Sequence, residues 1–187
     1  MSNRFNEVTL GVTLTNTDNA NKGDYTDRED DVYIEPGERA VVSFADDASD
    51  EFTVEFGDDA YFVFNARGQG KLNLAYNTKY NKDFAYDYDD ANIDFITFEY
   101  APTFNKNGTV YIYADEDAFI YEVTADGAKE IKGLAWDEDY EAWTWKTRTL
   151  KSYAISDVEL TEKTVTEDKD DASSTTDGGK KNPDTGR

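Results

Sequence analysis

The chain has 187 residues, with 41 acids against 19 bases, a formal net charge of −22, and neither cysteine nor histidine. A field of that sign repels nucleic-acid phosphates and anionic membrane surfaces, and it attracts cations. The two missing residue types exclude disulfides, thiol nucleophiles, cysteine–zinc sites and serine–histidine catalysis. Aromatic residues make up 14% of the chain, so most of it is expected to fold.

The first ten residues lack the basic-then-apolar pattern of an export leader, so an exported form requires a leader upstream. No run is long enough to span a membrane as a helix. A period of two then sets in. Val8, Leu10, Val12 and Leu14 alternate with Thr9, Gly11 and Thr13, which puts the apolar members on one face of a strand.

The next segment has Asp18 at the first position of a twelve-residue calcium loop, Gly23 at the sixth and Glu29 at the twelfth, with Asp24 between. Calcium wants several oxygen ligands. The third and fifth positions are Ala20 and Lys22, which offer none from their side chains. The segment reads as a long hairpin loop, with Asp18, Asp24 and Glu29 as weak calcium candidates.

Strand patterns recur at about 32–35, 39–45, 52–56, 60–66, 71–77, 93–100, 109–114, 118–123, 142–149 and 152–157. Turn chemistry separates them. Glu35-Pro36-Gly37-Glu38 suits a type II turn. Arg67-Gly68-Gln69-Gly70 and Asp126-Gly127 are hairpin candidates, and Asn107-Gly108 stands as the turn before a strand. No helix is expected; the Ala/Lys/Glu stretch 125–131 is too short for one. The fold predicted is an all-β antiparallel sandwich, jelly-roll or immunoglobulin-like, over residues 4–160, with a division near residue 83 as the alternative.

Acid pairs at 46–47, 58–59, 87–90, 115–117 and 137–139 raise the question of glycoside hydrolysis, but with 41 acids close pairs are inevitable and none stands out. Trp136, Trp143 and Trp145 are candidate ligand-binding aromatics. Trp143 and Trp145 share one face of a strand, which a core-facing pair would also do. The tyrosine pattern Tyr111, Tyr113 and Tyr121 has the same ambiguity; it opposes the Val110 and Ile112 face, so one of those two faces is expected to be partly exposed.

Beyond residue 160 only Val165 and Ala172 are apolar, so residues 161–181 are expected to form a polar stalk. At about 5–6 Å times the square root of its length, such a tether spans a few tens of ångströms. Asn182-Pro183-Asp184-Thr185-Gly186 follows, then Arg187. Pro183 fixes its own φ and pushes Asn182 toward extended geometry, and Gly186 lets the bond after Thr185 be approached closely.

Residues 182–186 resemble the sorting signals of Gram-positive surface proteins, whose usual form is Leu-Pro-any-Thr-Gly. The resemblance implies sortase and peptidoglycan as partners, cleavage between Thr185 and Gly186, and attachment through Thr185. Asn182 departs from the usual Leu, which leaves the sortase class open. An apolar span and a basic tail beyond residue 187 are also implied. Residues 83–160, and KTRTLKSYAISDVEL above all, resemble the wall-proximal β-domain of clostridial and ruminococcal surface proteins. That implies an extracellular, wall-anchored location. The function expected is a non-catalytic structural or adhesive module without a cofactor. A carbohydrate-binding module is the alternative, and a glycoside hydrolase fragment the second.

Overall fold

The computed structural model describes residues 24–161; the predicted strand at 8–14, most of the stalk and the 182–187 motif lie outside them. Fourteen strands and one helical turn follow in order. They are β1 (Asp24–Arg28), β2 (Asp31–Ile34), β3 (Val41–Phe44), β4 (Phe52–Phe56), β5 (Ala60–Phe64), β6 (Leu72–Asn73) and β7 (Tyr76–Asn77). Then come α1 (Lys82–Tyr86), β8 (Ile93–Phe98), β9 (Thr103–Tyr113), β10 (Phe119–Thr124) and β11 (Gly127–Glu130). The last are β12 (Ala135–Asp137), β13 (Ala142–Thr149) and β14 (Ser152–Ser156).

A six-stranded sheet runs β12-β13-β9-β5-β4-β2, a five-stranded one β11-β10-β14-β8-β7 and a three-stranded one β1-β3-β6. The all-β sandwich predicted from the period-two pattern is what forms. In β4 the pattern is plain: Phe52, Val54 and Phe56 are buried, while Glu55 is exposed. The pairings are antiparallel except β1–β3 and β2–β4. These two parallel pairs arise because the chain alternates between sheets from β1 to β4. Each parallel pair thereby gains the crossover it needs from the intervening strand.

One core joins all three sheets. Val42 of β3, Phe62 of β5, Phe98 of β8, Val110 of β9 and Tyr153 of β14 belong to the same buried cluster. Strands from both sides of residue 83 join one sheet, where β5 pairs along its length with β9. Aromatic rings carry much of the contact. Phe62 and Phe104 lie 4.5 Å apart by centroids, Phe56 and Phe98 4.8 Å, and Trp145 and Tyr153 5.0 Å.

The five-stranded sheet is buried on both faces. Phe95, Tyr121 and Ala154 point away from the main core into a second cluster with Phe84, Ala85 and Leu160. Phe84 and Ala85 come from α1, the element missing from the sequence reading. One turn leaves no 3.6-residue period to detect. It starts because Asn81 accepts the Phe84 backbone N–H at 3.1 Å.

Three of the four predicted turns form, and two of these connect differently. Gly37 has φ 78 and Glu38 donates its N–H to the Glu35 carbonyl at 3.2 Å, as the Pro-Gly turn requires. It carries the chain from the six-stranded sheet to the three-stranded one. The turn at Gly68 (φ 72) likewise moves the chain between sheets and closes no hairpin. Asp126-Gly127 does close the β10–β11 hairpin, with Thr124 paired to Gly127.

Asn107-Gly108 is not a turn. It lies inside β9, where a Cβ on Gly108 would come within 2.3 Å of the Phe62 ring and 2.6 Å of the Val63 carbonyl. The glycine is there to admit that ring. The 18–29 segment is no single loop either. Residues 24–28 form β1, and Asp24 pairs with Val41 of β3.

Gly108→Ala is expected to lower the unfolding free energy by about 1–3 kcal/mol through overpacking against Phe62, measured by urea denaturation. In the wild type the same titration should give one transition, coincident by fluorescence and circular dichroism, because the two halves share a core. Two separated transitions would restore the division near residue 83.

Candidate functional site

The outer face of the six-stranded sheet carries a row of paired positions that crosses it from edge to edge. Tyr33 pairs with Glu55, Glu55 with Tyr61, Tyr61 with Tyr111, and Tyr111 with Thr144. Directly paired residues share a face, and their neighbours Phe62, Val110 and Trp145 face the core. Tyr113 stands on the same outer face, opposite Ala142, which pairs with Asp137.

Four of these rings make one aromatic patch. Tyr61 and Tyr111 stack in parallel, with centroids 4.3 Å apart and an interplanar angle of 1°. Tyr113 lies 5.8 Å from Tyr61. Tyr140 reaches over from the β12–β13 loop, 5.2 Å from Tyr111 and 5.8 Å from Tyr61. Asp137 builds that loop by accepting the backbone N–H groups of Asp139 at 3.1 Å and Tyr140 at 3.3 Å. Glu141 closes it with φ 49, a left-handed conformation that costs a residue with a side chain free energy.

Exposure across the patch is graded. Tyr140 and Tyr113 are 55% and 43% exposed, whereas Tyr61 is 9%. The Tyr61 hydroxyl is buried and none of the described residues bonds it. Burial pushes the Tyr61 phenol well above its usual range, and the neighbouring tyrosines and Asp137 push the same way. Tyr111 and Tyr113 are raised as well, again by burial first, with Asp137 and Glu55 respectively next. Tyr61, Tyr111 and Tyr113 are therefore neutral phenols with carboxylates beside them.

The tryptophans are placed differently. Trp145 is 5% exposed in the main core and has no open face for a ligand, which corrects its candidacy. Trp143 packs against that core and donates its ring N–H to the Asp115 carbonyl at 3.1 Å. Trp136 meets Trp143 edge to face at 5.7 Å. The partly exposed face that the tyrosine pattern predicted is the one carrying Tyr111 and Tyr113. Tyr121, in contrast, is buried under the second cluster. Tyr61 and Tyr140 escaped the sequence reading: Tyr61 sits in the run Ala60-Tyr61-Phe62-Val63-Phe64, and Tyr140 follows three acids.

A cleft of about 620 Å³ adjoins the patch at Tyr113 and is lined by Asp58, Asp59, Asp94, Asp115, Asp117 and Asp157 among others. Two of these carboxylates have structural partners. Asp59 accepts the Tyr76 hydroxyl at 3.0 Å, and Asp157 accepts the Asn92 backbone and side-chain N–H groups at 2.9 and 2.8 Å. The Asn92 bonds hold Asp157 below the usual carboxylate range, opposite to the shift a general acid requires. Among the described residues no group of three or more acids is placed to hold a metal ion. Asp18 lies outside the described residues, and Glu29 is exposed beside β1.

Comparison with known proteins finds no matching family model, no similar curated protein and no similar solved structure.

Two outcomes follow from these geometries. Tyr61→Phe removes a buried hydroxyl that lacks a partner, so the free protein should gain roughly 1 kcal/mol in urea denaturation. The second concerns pH. Burial, first among the causes, raises the phenols of Tyr25, Tyr61, Tyr76 and Tyr153. In the unfolded chain tyrosine ionises near pH ~10, so above that pH the folded state holds protons the unfolded state has lost. Stability should be level from pH 6 to 9, since the chain has no histidine, and should fall as pH rises past ~10. A decline beginning near pH 7 in the urea midpoint would contradict this.

Proposed function

We propose that the chain is a non-catalytic module of a cell-surface protein, held to peptidoglycan through Thr185. The observation that carries the reading is an order of features. A β-sandwich is followed by residues 161–181, nearly devoid of apolar side chains, and then by Asn182-Pro183-Asp184-Thr185-Gly186. A polar tether between a folded domain and a sorting signal lifts the domain away from its attachment point and lets it reorient.

The motif suits acyl transfer. Pro183 presets the chain for an extended groove, and Gly186 leaves the Thr185 carbonyl open to a sortase thiolate. The acidic surface supports an extracellular module that stays soluble in a crowded layer. The outward aromatic patch supports a binding role over a purely structural one, because exposed apolar patches mark interaction sites.

Expressed in a sortase-bearing Gram-positive host with a leader and a membrane tail supplied, the protein should fractionate with the wall. Peptidoglycan hydrolases should release it, and detergent should not. Thr185→Ala should move most of it to the membrane or the medium. Wall linkage unchanged in that variant would overturn the reading.

A further inference from the structure

We propose that the outer face of the six-stranded sheet, formed by Tyr61, Tyr111, Tyr113 and Tyr140, is a binding platform for an uncharged glycan chain. This rests on the surface-module reading and adds the ligand class and the residues that recognise it.

Three independent features meet at this face. The first is open aromatic surface. Tyr113 and Tyr140 are the exposed rings beside Tyr111, and amphipathic rings of this kind pair an apolar body with a polar tip. The C–H faces of pyranose rings match the first and their hydroxyls the second. The second is the Tyr61 hydroxyl. It is buried and bonds nothing in the described protein, although a buried polar group ordinarily has a partner, and its own ring lies among the other three. A ligand hydroxyl would supply one. Tyr140 is the ring of the four carried on a loop, so it is the one whose displacement would uncover Tyr61. The third is the pair of carboxylates beside the patch. Glu55 is in register with Tyr61, and Asp137 supports the Tyr140 loop and lies near enough to raise the Tyr61 and Tyr111 phenols. Carboxylates only accept hydrogen bonds, and sugar hydroxyls donate them.

Charge selects among glycans. A chain of net charge −22, with acids at the platform, repels uronate or sialate polymers and leaves neutral ones. A cationic peptide would meet acids over the whole surface, so charge alone would not bring it to this face. Nor would it need the buried phenol.

The test uses the full 187-residue chain in solution, where wall attachment plays no part; a negative result would leave the Thr185 reading untouched. Isothermal titration with cellohexaose, laminarihexaose, xylohexaose and mannohexaose probes neutral chains, with oligogalacturonate and octalysine as charged alternatives. At least one neutral hexasaccharide should bind, and oligogalacturonate should not. Tyr113→Ala and Tyr140→Ala should each weaken that binding about tenfold, a loss of 1.4 kcal/mol. Tyr61→Phe keeps the ring and should weaken it about fivefold without lowering the thermal midpoint. Tyr86→Ala, a change at another exposed tyrosine, should leave binding as it was. The proposal fails if none of the four neutral chains binds, if Tyr61→Phe binds as wild type, or if octalysine binds and loses affinity in the Tyr113 and Tyr140 variants.

Discussion

The fold depends on aromatic packing between sheets. With no cysteine in the chain, no disulfide closes the sandwich. Facing sheets stand about 10 Å apart, a gap that long side chains fill best. Phe52, Phe62, Phe64 and Phe104 of the six-stranded sheet form a run of touching rings, and Phe44 of the three-stranded sheet joins it at Phe52 and Phe64. A second run links Phe56 of the large sheet to Tyr76, Phe98 and Tyr153 of the five-stranded one. Removing any one sheet would leave these rings facing water, so the sheets stand or fall together. The bare Cα of Gly108 follows from that demand, since the ring beside it needs the room.

The same arrangement makes the charge tolerable. The described core contains one buried polar residue, Ser156, whose hydroxyl donates to the Val158 carbonyl at 2.7 Å. The acids are kept on the surface, where water screens them. Arg67–Asp50 at 3.8 Å is largely exposed, and exposed pairs contribute at most about 1 kcal/mol; Lys151–Glu122 at 2.7 Å is the tighter and less exposed pair. Repulsion spread over such a surface discourages edge-to-edge association through β2 and β12, the end strands of the six-stranded sheet among the described residues.

Strand positions were legible because a half-buried strand writes its burial into every second residue. β4 falls where that alternation predicts; β9 carries it over residues 108–113, but the strand begins at Thr103, ahead of the expected start at about 109. β1 was not legible: Asp24-Tyr25-Thr26-Asp27-Arg28 has a single apolar side chain and joins its sheet through parallel pairing to β3. Turn residues revealed where the chain bends but not which sheet it enters next, because destination depends on partners far along the chain. Asn107-Gly108 misled for a related reason. Glycine at a turn and glycine beneath a ring look alike until the ring is placed. For the site, alternation separated Tyr111 and Tyr113 from the core, whereas Tyr61 needed the register with β9 before it could join them.

The two outer faces of the sandwich have been treated differently, and the difference bears on binding. The outer face of the five-stranded sheet is apolar and covered, by α1 and by Leu160, whose N–H is donated to the Tyr121 hydroxyl at 3.1 Å. Tyr88 ties that cover down, accepting the Ala128 N–H at 2.8 Å and donating to the Thr161 carbonyl at 3.2 Å. There the phenols Tyr88 and Tyr121 are satisfied by the protein itself. On the six-stranded sheet the tyrosines lie under a single loop that brings one more ring, and the innermost hydroxyl is left without a partner among the described residues. Phenylalanine at position 61 would pack the same stack without burying that hydroxyl, so stability does not explain the tyrosine. The fold satisfies its buried phenols on one face and leaves one without a partner among the described residues on the other, at the position where the proposed glycan would supply a hydroxyl.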